Sequence, residues 1–177
     1  MRIKIYSRKE MEEAIRDKAI LCKEPIISIS DVRYESVVPD DYNVLNLKFD
    51  DVTPFLLKNH LCHPYYENEF KTRAPVLFDK EMAVSIYDFT TANLRSYHKQ
   101  YDDNHMLLHI NCFKGMSRSV AIGLSLIMND IGGDYHDQRE FIFSKYYADS
   151  VINEWVFKVM NIVSNKIFYT GVIDGGI

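Results

Sequence analysis

The stretch Met106-Leu107-Leu108-His109-Ile110-Asn111-Cys112-Phe113-Lys114-Gly115-Met116-Ser117-Arg118-Ser119-Val120-Ala121-Ile122-Gly123-Leu124 decides the architecture. A short apolar run, Met106 to Ile110, reads as a central strand. A tight turn built on Gly115 follows at once. An apolar helix then runs from Ser119 to about Asn129 and is stopped by Gly132-Gly133. Strand, short loop and helix start form an arrangement in which successive backbone N–H groups converge on an anion. A thiol placed at such a terminus is favoured as thiolate. Arg118 adds a planar fork that suits two oxygens of a phosphate. One loop therefore combines a nucleophile (Cys112), an oxyanion cradle and a bidentate clamp. The chemistry natural to that set is thiolate attack on tetrahedral phosphorus.

Upstream, Ser7 is the expected N-cap of a helix over Arg8 to Lys18, with Glu10 completing a capping box. Ile26 to Ile29 reads as a buried strand introduced by Pro25, and Val44 to Phe49 as another. Asp50 to Pro75 has no clean period and reads as a long loop or inserted excursion. Asp79 to about Tyr101 is helical, with Asp79 as a cap. Gln138 to Tyr147 and Val151 to Lys166 are two further helices, and Trp155 falls on the apolar face of the second. Interleaved strands and helices predict an α/β domain: a central, mostly parallel sheet of about five strands flanked by helices. The whole chain, 1–177, is expected to form one domain, with an insertion near 56–75 and a loose tail over 168–177.

Composition narrows the class of partner. The chain has 177 residues, 47% of them hydrophobic, and a net charge of −4. That balance excludes broad nucleic-acid coating or a polybasic membrane surface, but not one local anion pocket. No apolar run is long enough to span a bilayer, and Met1 to Glu10 is not a secretory signal. Three cysteines, Cys22, Cys62 and Cys112, point to reduced thiols and a cytoplasmic setting. His60, Cys62 and His63 lie close together, but no second cluster completes a zinc site, so they read as a polar loop and no metal is expected. Cys62 or Cys22 could form a protective disulfide with Cys112, whose proximity the sequence does not give. His109, on the strand, reads as a core histidine rather than a catalyst.

The run from Cys112 through Ser119 resembles the active-site loop of the cysteine-dependent protein tyrosine phosphatases, of the dual-specificity type. In that pattern His-Cys is followed by two residues, Gly, one residue and Ser-Arg-Ser, then an apolar helix. Gly115, Ser117, Arg118 and Ser119 fall in register. The departure is Asn111, where the family has the His that helps hold the loop and tune the thiol. Leu45 to Val52 is similar to the strand that ends at the family's general-acid loop. The aligned acid is Asp51, with Asp50 beside it as an alternative. Asp79 is a rival by its interval from Cys112, although it has a complete account as a helix cap. The Asp51–Cys112 interval is longer than in compact members, which the insertion explains.

The resemblance implies a protein tyrosine phosphatase-like fold and phosphomonoester hydrolysis through a phosphocysteine on Cys112. Phe113, Lys114, Gly115, Met116, Ser117 and Arg118 would hold the phosphate, Asp51 would protonate the leaving oxygen, and Ser119 would support the departing thiolate. No cofactor is implied. With only Lys114 as an added base in the loop, the substrate class tilts from phosphoinositides to phosphotyrosine proteins or peptides, with phosphoserine and phosphothreonine as further substrates. The Ser-Arg-Ser ending departs from the relatives that act on RNA. The alternative is a catalytically weak or inactive phosphate-binding module, motivated by Asn111.

Overall fold

The computed structural model describes residues 1–62, 64–100, 106–129 and 152–170. Four strands form one sheet: β1 (Arg2–Ser7), β2 (Ile26–Ser30), β3 (Val44–Lys48) and β4 (Leu107–Cys112). Their order is β1-β4-β2-β3, and every pairing is parallel. The described residues thus form an α/β layered domain with an all-parallel sheet of four strands, not about five.

β1 lies within Met1 to Glu10, where the sequence analysis places no strand. Its residues alternate, with Ile3 and Ile5 buried and Arg2 and Lys4 exposed, which is the period of a strand with one face covered. Cross-strand pairing with β4 places Ser7 beside Cys112.

The described residues include six helices, four of which enclose the sheet. α1 (Arg8–Arg16) starts directly at the end of β1, capped by Ser7 with the reciprocal Glu10 contact of a capping box. It lies on one face over Tyr6, Met11, Ile20, Ile26 and Val38. α4 (Lys80–Gln100), α5 (Arg118–Met128) and α6 (Glu154–Thr170) share the larger core on the other face. There Ile5, Leu108 and Ile110 of the sheet meet Ile86, Leu124 and Met160 of the helices. Gly123 lets α5 approach β1: a Cβ there would stand 3.3 Å from the Ile5 side chain. Asp79 caps α4, accepting from the Met82 N–H at 2.8 Å. Trp155 packs on this core and donates to the Phe78 carbonyl at 2.8 Å.

Two expectations are corrected here. The excursion after Asp50 holds two short helices, α2 (Pro54–Lys58) and α3 (Pro64–Glu69). α2 has its own signals, Thr53 as N-cap and Pro54 in the first turn. α5 ends at a cap on Asn129, where the sequence places its end. α6 continues through Thr170, so no loose tail begins at 168; the apolar spacing simply runs on through Ile167 and Phe168. The expected helix over Gln138 to Tyr147, Gly132-Gly133 and the end of the chain from 171 lie outside the described residues. No helix among the described residues is long and apolar enough to cross a membrane.

Candidate active site

A parallel sheet brings all its carboxyl ends to one edge, where backbone donors and helix starts face open space. Here Ser7 ends β1, Asp31 follows β2, Asp50 and Asp51 follow β3, and Cys112 ends β4. The candidate residues of the sequence are therefore gathered by topology.

Cys112 is buried, 1% exposed, on the floor of the loop. Its Sγ lies 3.1 Å from the Ser119 Oγ on the first turn of α5. The loop above it is fixed to the end of β1. The Arg8 N–H donates to the Phe113 carbonyl at 3.1 Å. Gly115 sits at φ +70°, and a Cβ there would meet the Ser7 nitrogen at 2.7 Å and the Tyr6 carbonyl oxygen at 2.9 Å. Only glycine fits both the left-handed backbone and that close approach. Phe113, Lys114 and Met116 are exposed and form the rim. The Phe113 ring lies 6.3 Å from that of Tyr34.

Ser117 stands at the N-cap of α5 but makes no capping bond. No side chain therefore satisfies the first-turn amides from that position, and they remain available to an anion. The Ser117 hydroxyl instead donates to Asp51 Oδ1 at 2.8 Å. Asn153, just before α6, donates its amide to the same Oδ1 at 2.9 Å while its own oxygen accepts from the Val156 N–H. Asp51 Oδ2 is 3.8 Å from Arg118 Nε.

Arg118 is 1% exposed. Its Nη1 donates to Asp31 Oδ1 at 2.8 Å and to the Phe49 carbonyl at 2.6 Å. Its Nε is buried without a hydrogen-bond acceptor. Burial opposes the charge on the guanidinium, but the Asp51 and Asp31 carboxylates and Cys112 outweigh it, and the pKa is raised. The site thus holds a permanent buried cation, tied on one side by Asp31.

The two other acids are elsewhere engaged. Asp50, fully buried, accepts both Nη atoms of Arg73, at 2.8 and 2.6 Å, and the Val76 N–H at 2.9 Å. Asp79 is the α4 cap. Of the three acids considered from the sequence, Asp51 is the one in contact with the loop. Asn111 is buried on β4, between Tyr6 and Ser28, and its Oδ1 has no hydrogen-bond partner. On the same strand His109 accepts or donates at Nδ1 with the Tyr6 hydroxyl, 3.0 Å away, while its Nε2 has no hydrogen bond.

No protein-family model matches the chain, and no curated protein matches it.

Three residues of the site lie outside the set given by the motif and its aligned acid. Asp31 holds Arg118; its one legible mark is its place directly after a buried strand. Asn153 was absorbed into a helical pattern whose cap it is. Tyr66, on α3, donates to Asp31 Oδ1 at 3.1 Å and accepts from the Asp51 N–H at 3.3 Å. Burial, reinforced by the Asp31 charge, raises its pKa, so the phenol stays protonated. Among the described residues no group of His, Cys, Asp or Glu is placed to hold a metal ion, and no disulfide joins the three cysteines.

The arrangement can do one kind of chemistry well. A tetrahedral oxyanion can sit on the α5 amides beside a fixed cation, with a sulfur beneath it and a carboxyl group at the mouth.

Proposed function

We propose that the chain is a cysteine-dependent phosphatase of the protein tyrosine phosphatase type, which hydrolyses phosphotyrosine and also phosphoserine or phosphothreonine in proteins or peptides. The observation that carries this reading is the Ser117–Asp51 hydrogen bond of 2.8 Å. It joins the loop that bears the sulfur and the cation to an acid suited to protonate a leaving group.

In the first step the Cys112 thiolate forms an S–P bond while the P–O bond to the substrate breaks, and Asp51 gives its proton to the leaving oxygen. Oδ1 is held by Ser117 and Asn153, which leaves Oδ2 to carry that proton. Arg118 and the loop amides take the charge of the non-bridging oxygens. In the second step water attacks phosphorus, Asp51 receives its proton, and Cys112 leaves as thiolate, supported by the Ser119 hydroxyl. No step calls for a cofactor, and the thiol requires a reducing compartment such as the cytoplasm.

The depth of Cys112 below the exposed Phe113 and Met116 supports phosphotyrosine, whose phosphate stands at the end of a long aryl arm. Neither nucleic acid nor a membrane surface suits the acidic balance of the chain.

Asn111 supports a second reading, a phosphate-binding module without turnover, because its buried Oδ1 has no partner where the resemblance expects a loop-holding His. An aryl phosphate separates the two. The enzyme reading expects hydrolysis by the reduced protein, inhibition by vanadate, and near-total loss in Cys112→Ser. Binding of phosphopeptide with no turnover, unchanged in Cys112→Ser, would establish the module instead.

A further inference from the structure

The insertion was expected to be an excursion from the domain, yet two consecutive residues of the acid loop hold it. Asp50 binds Arg73, which lies just beyond α3, and Arg73 also binds Glu69 at the end of α3, through its Nε at 2.7 Å. Glu69 is itself buried and accepts from Arg33, in the segment after β2, at 2.7 Å. The next residue, Asp51, offers its N–H to the Tyr66 hydroxyl. The Tyr66 ring is in turn stacked on Phe70, with centroids 5.4 Å apart. The later half of the insertion is thus clamped against the site by the charge of Arg73 and by the phenol of Tyr66.

That phenol lies at a junction. Its oxygen accepts from the backbone of the proton donor, Asp51, and its hydrogen goes to Asp31, the carboxylate that holds Arg118 Nη1. We propose that Tyr66 is a positioning residue: through one hydroxyl it ties the loop of the general acid to the carboxylate that orients the phosphate-binding arginine, so the inserted segment is a working part of the active site. The inference rests on the phosphatase reading and adds to it a residue outside the motif.

A hydrogen bond through Asp51's own backbone sets where its carboxyl group stands. Loss of that bond should matter most where proton donation limits the rate, in substrates whose leaving oxygen is strongly basic. Tyr66→Phe keeps the stacked ring and removes only the hydroxyl. The test compares kcat/KM for phenyl phosphate and para-nitrophenyl phosphate, whose leaving group barely needs a proton. Tyr66→Phe should lose about tenfold on phenyl phosphate and threefold or less on para-nitrophenyl phosphate, the size expected for one or two hydrogen bonds. In an Asp51→Asn background the same substitution should no longer discriminate between the two substrates. An equal loss on both, or none, overturns the proposal, while Cys112→Ser and Asp51→Asn still report separately on the phosphatase reading. Should Tyr66→Phe fail to fold, Tyr66→Gln and Tyr66→Met make the same comparison, because only the amide can both donate to Asp31 and accept from Asp51. Indistinguishable Gln and Met variants would then overturn the proposal, and a selective recovery by Gln would support it.

Discussion

The glycine of the loop between β4 and α5 shows how far one residue controls the candidate site. Gly115 combines a positive φ with an approach to the backbone of Tyr6 and Ser7 that leaves no room for a Cβ. Backbone cannot yield as a side chain tip can, so in Gly115→Ala the loop itself must move. The strain is about 1–3 kcal/mol, and moving the loop relieves it. Vanadate binding should therefore weaken by about tenfold or more, while the melting temperature falls by only a few degrees. Isothermal titration beside a thermal melt checks this; a variant that melts early yet binds vanadate normally would show that the loop conformation is not what the glycine protects. The motif around Gly115 was legible in the sequence because its chemistry fixes the spacing: thiol, turn, hydroxyl and guanidinium must follow within one strand–loop–helix passage. Asp31, Tyr66 and Asn153 were not, because their meeting is tertiary. Each comes from a different element, and no local pattern distinguishes a tyrosine that touches Asp51 from the many that do not.

At the scale of elements, β1 and the insertion carry the same lesson in opposite ways. Arg2-Ile3-Lys4-Ile5-Tyr6 alternates as a strand should, but Arg2 and Lys4 keep it from forming an apolar run like that of β2 or β4. The insertion has no apolar period at all, since what anchors it is polar. Arg73, Glu69, Asp50 and Arg33 form a partly buried ion network in which both acids are removed from water. Deleting a shared cation from such a network strands buried charge. Arg73→Met should cost about 3 kcal/mol of stability, visible as a lower urea midpoint with unchanged slope. It should also lower turnover, because α3 carries Tyr66. A variant as stable as the parent would mean that the insertion is held by something other than these charges. The α/β class, the parallel sheet and the helices on β-to-α connections were all legible, because hydrophobic periodicity reports burial directly; the strand count was not.

For the molecule as a whole, the sheet has one acid-sensitive side chain opposite the larger core. His109 lies buried on the α1 face, where loss of water, only partly offset by Glu24, depresses its pKa to about 4. The folded state therefore keeps the ring neutral in a range where the unfolded chain protonates it. That contribution is complete above about pH 6.5 and is lost as pH falls toward 4, by up to about 3 kcal/mol. Chemical denaturation across this window should show the decline, and His109→Gln should flatten it; an unchanged slope in the variant would assign the acid sensitivity to other groups. The net charge of −4 and the buried cation Arg118 are compatible because the field of the site is local, concentrated by a helix start and one guanidinium. Ser119, Arg118 and Asp51 are gathered around the sulfur-bearing loop at the end of β4. Rapid acid quench of the reduced protein during turnover of an aryl phosphate, followed by mass spectrometry of its peptides, tests the central claim most directly. The account predicts one phosphoryl group on the peptide that contains Cys112, more of it in Asp51→Asn when the leaving group needs no proton, and none in Cys112→Ser. Sustained turnover by Cys112→Ser, or a phosphoryl group on any other residue, would contradict it.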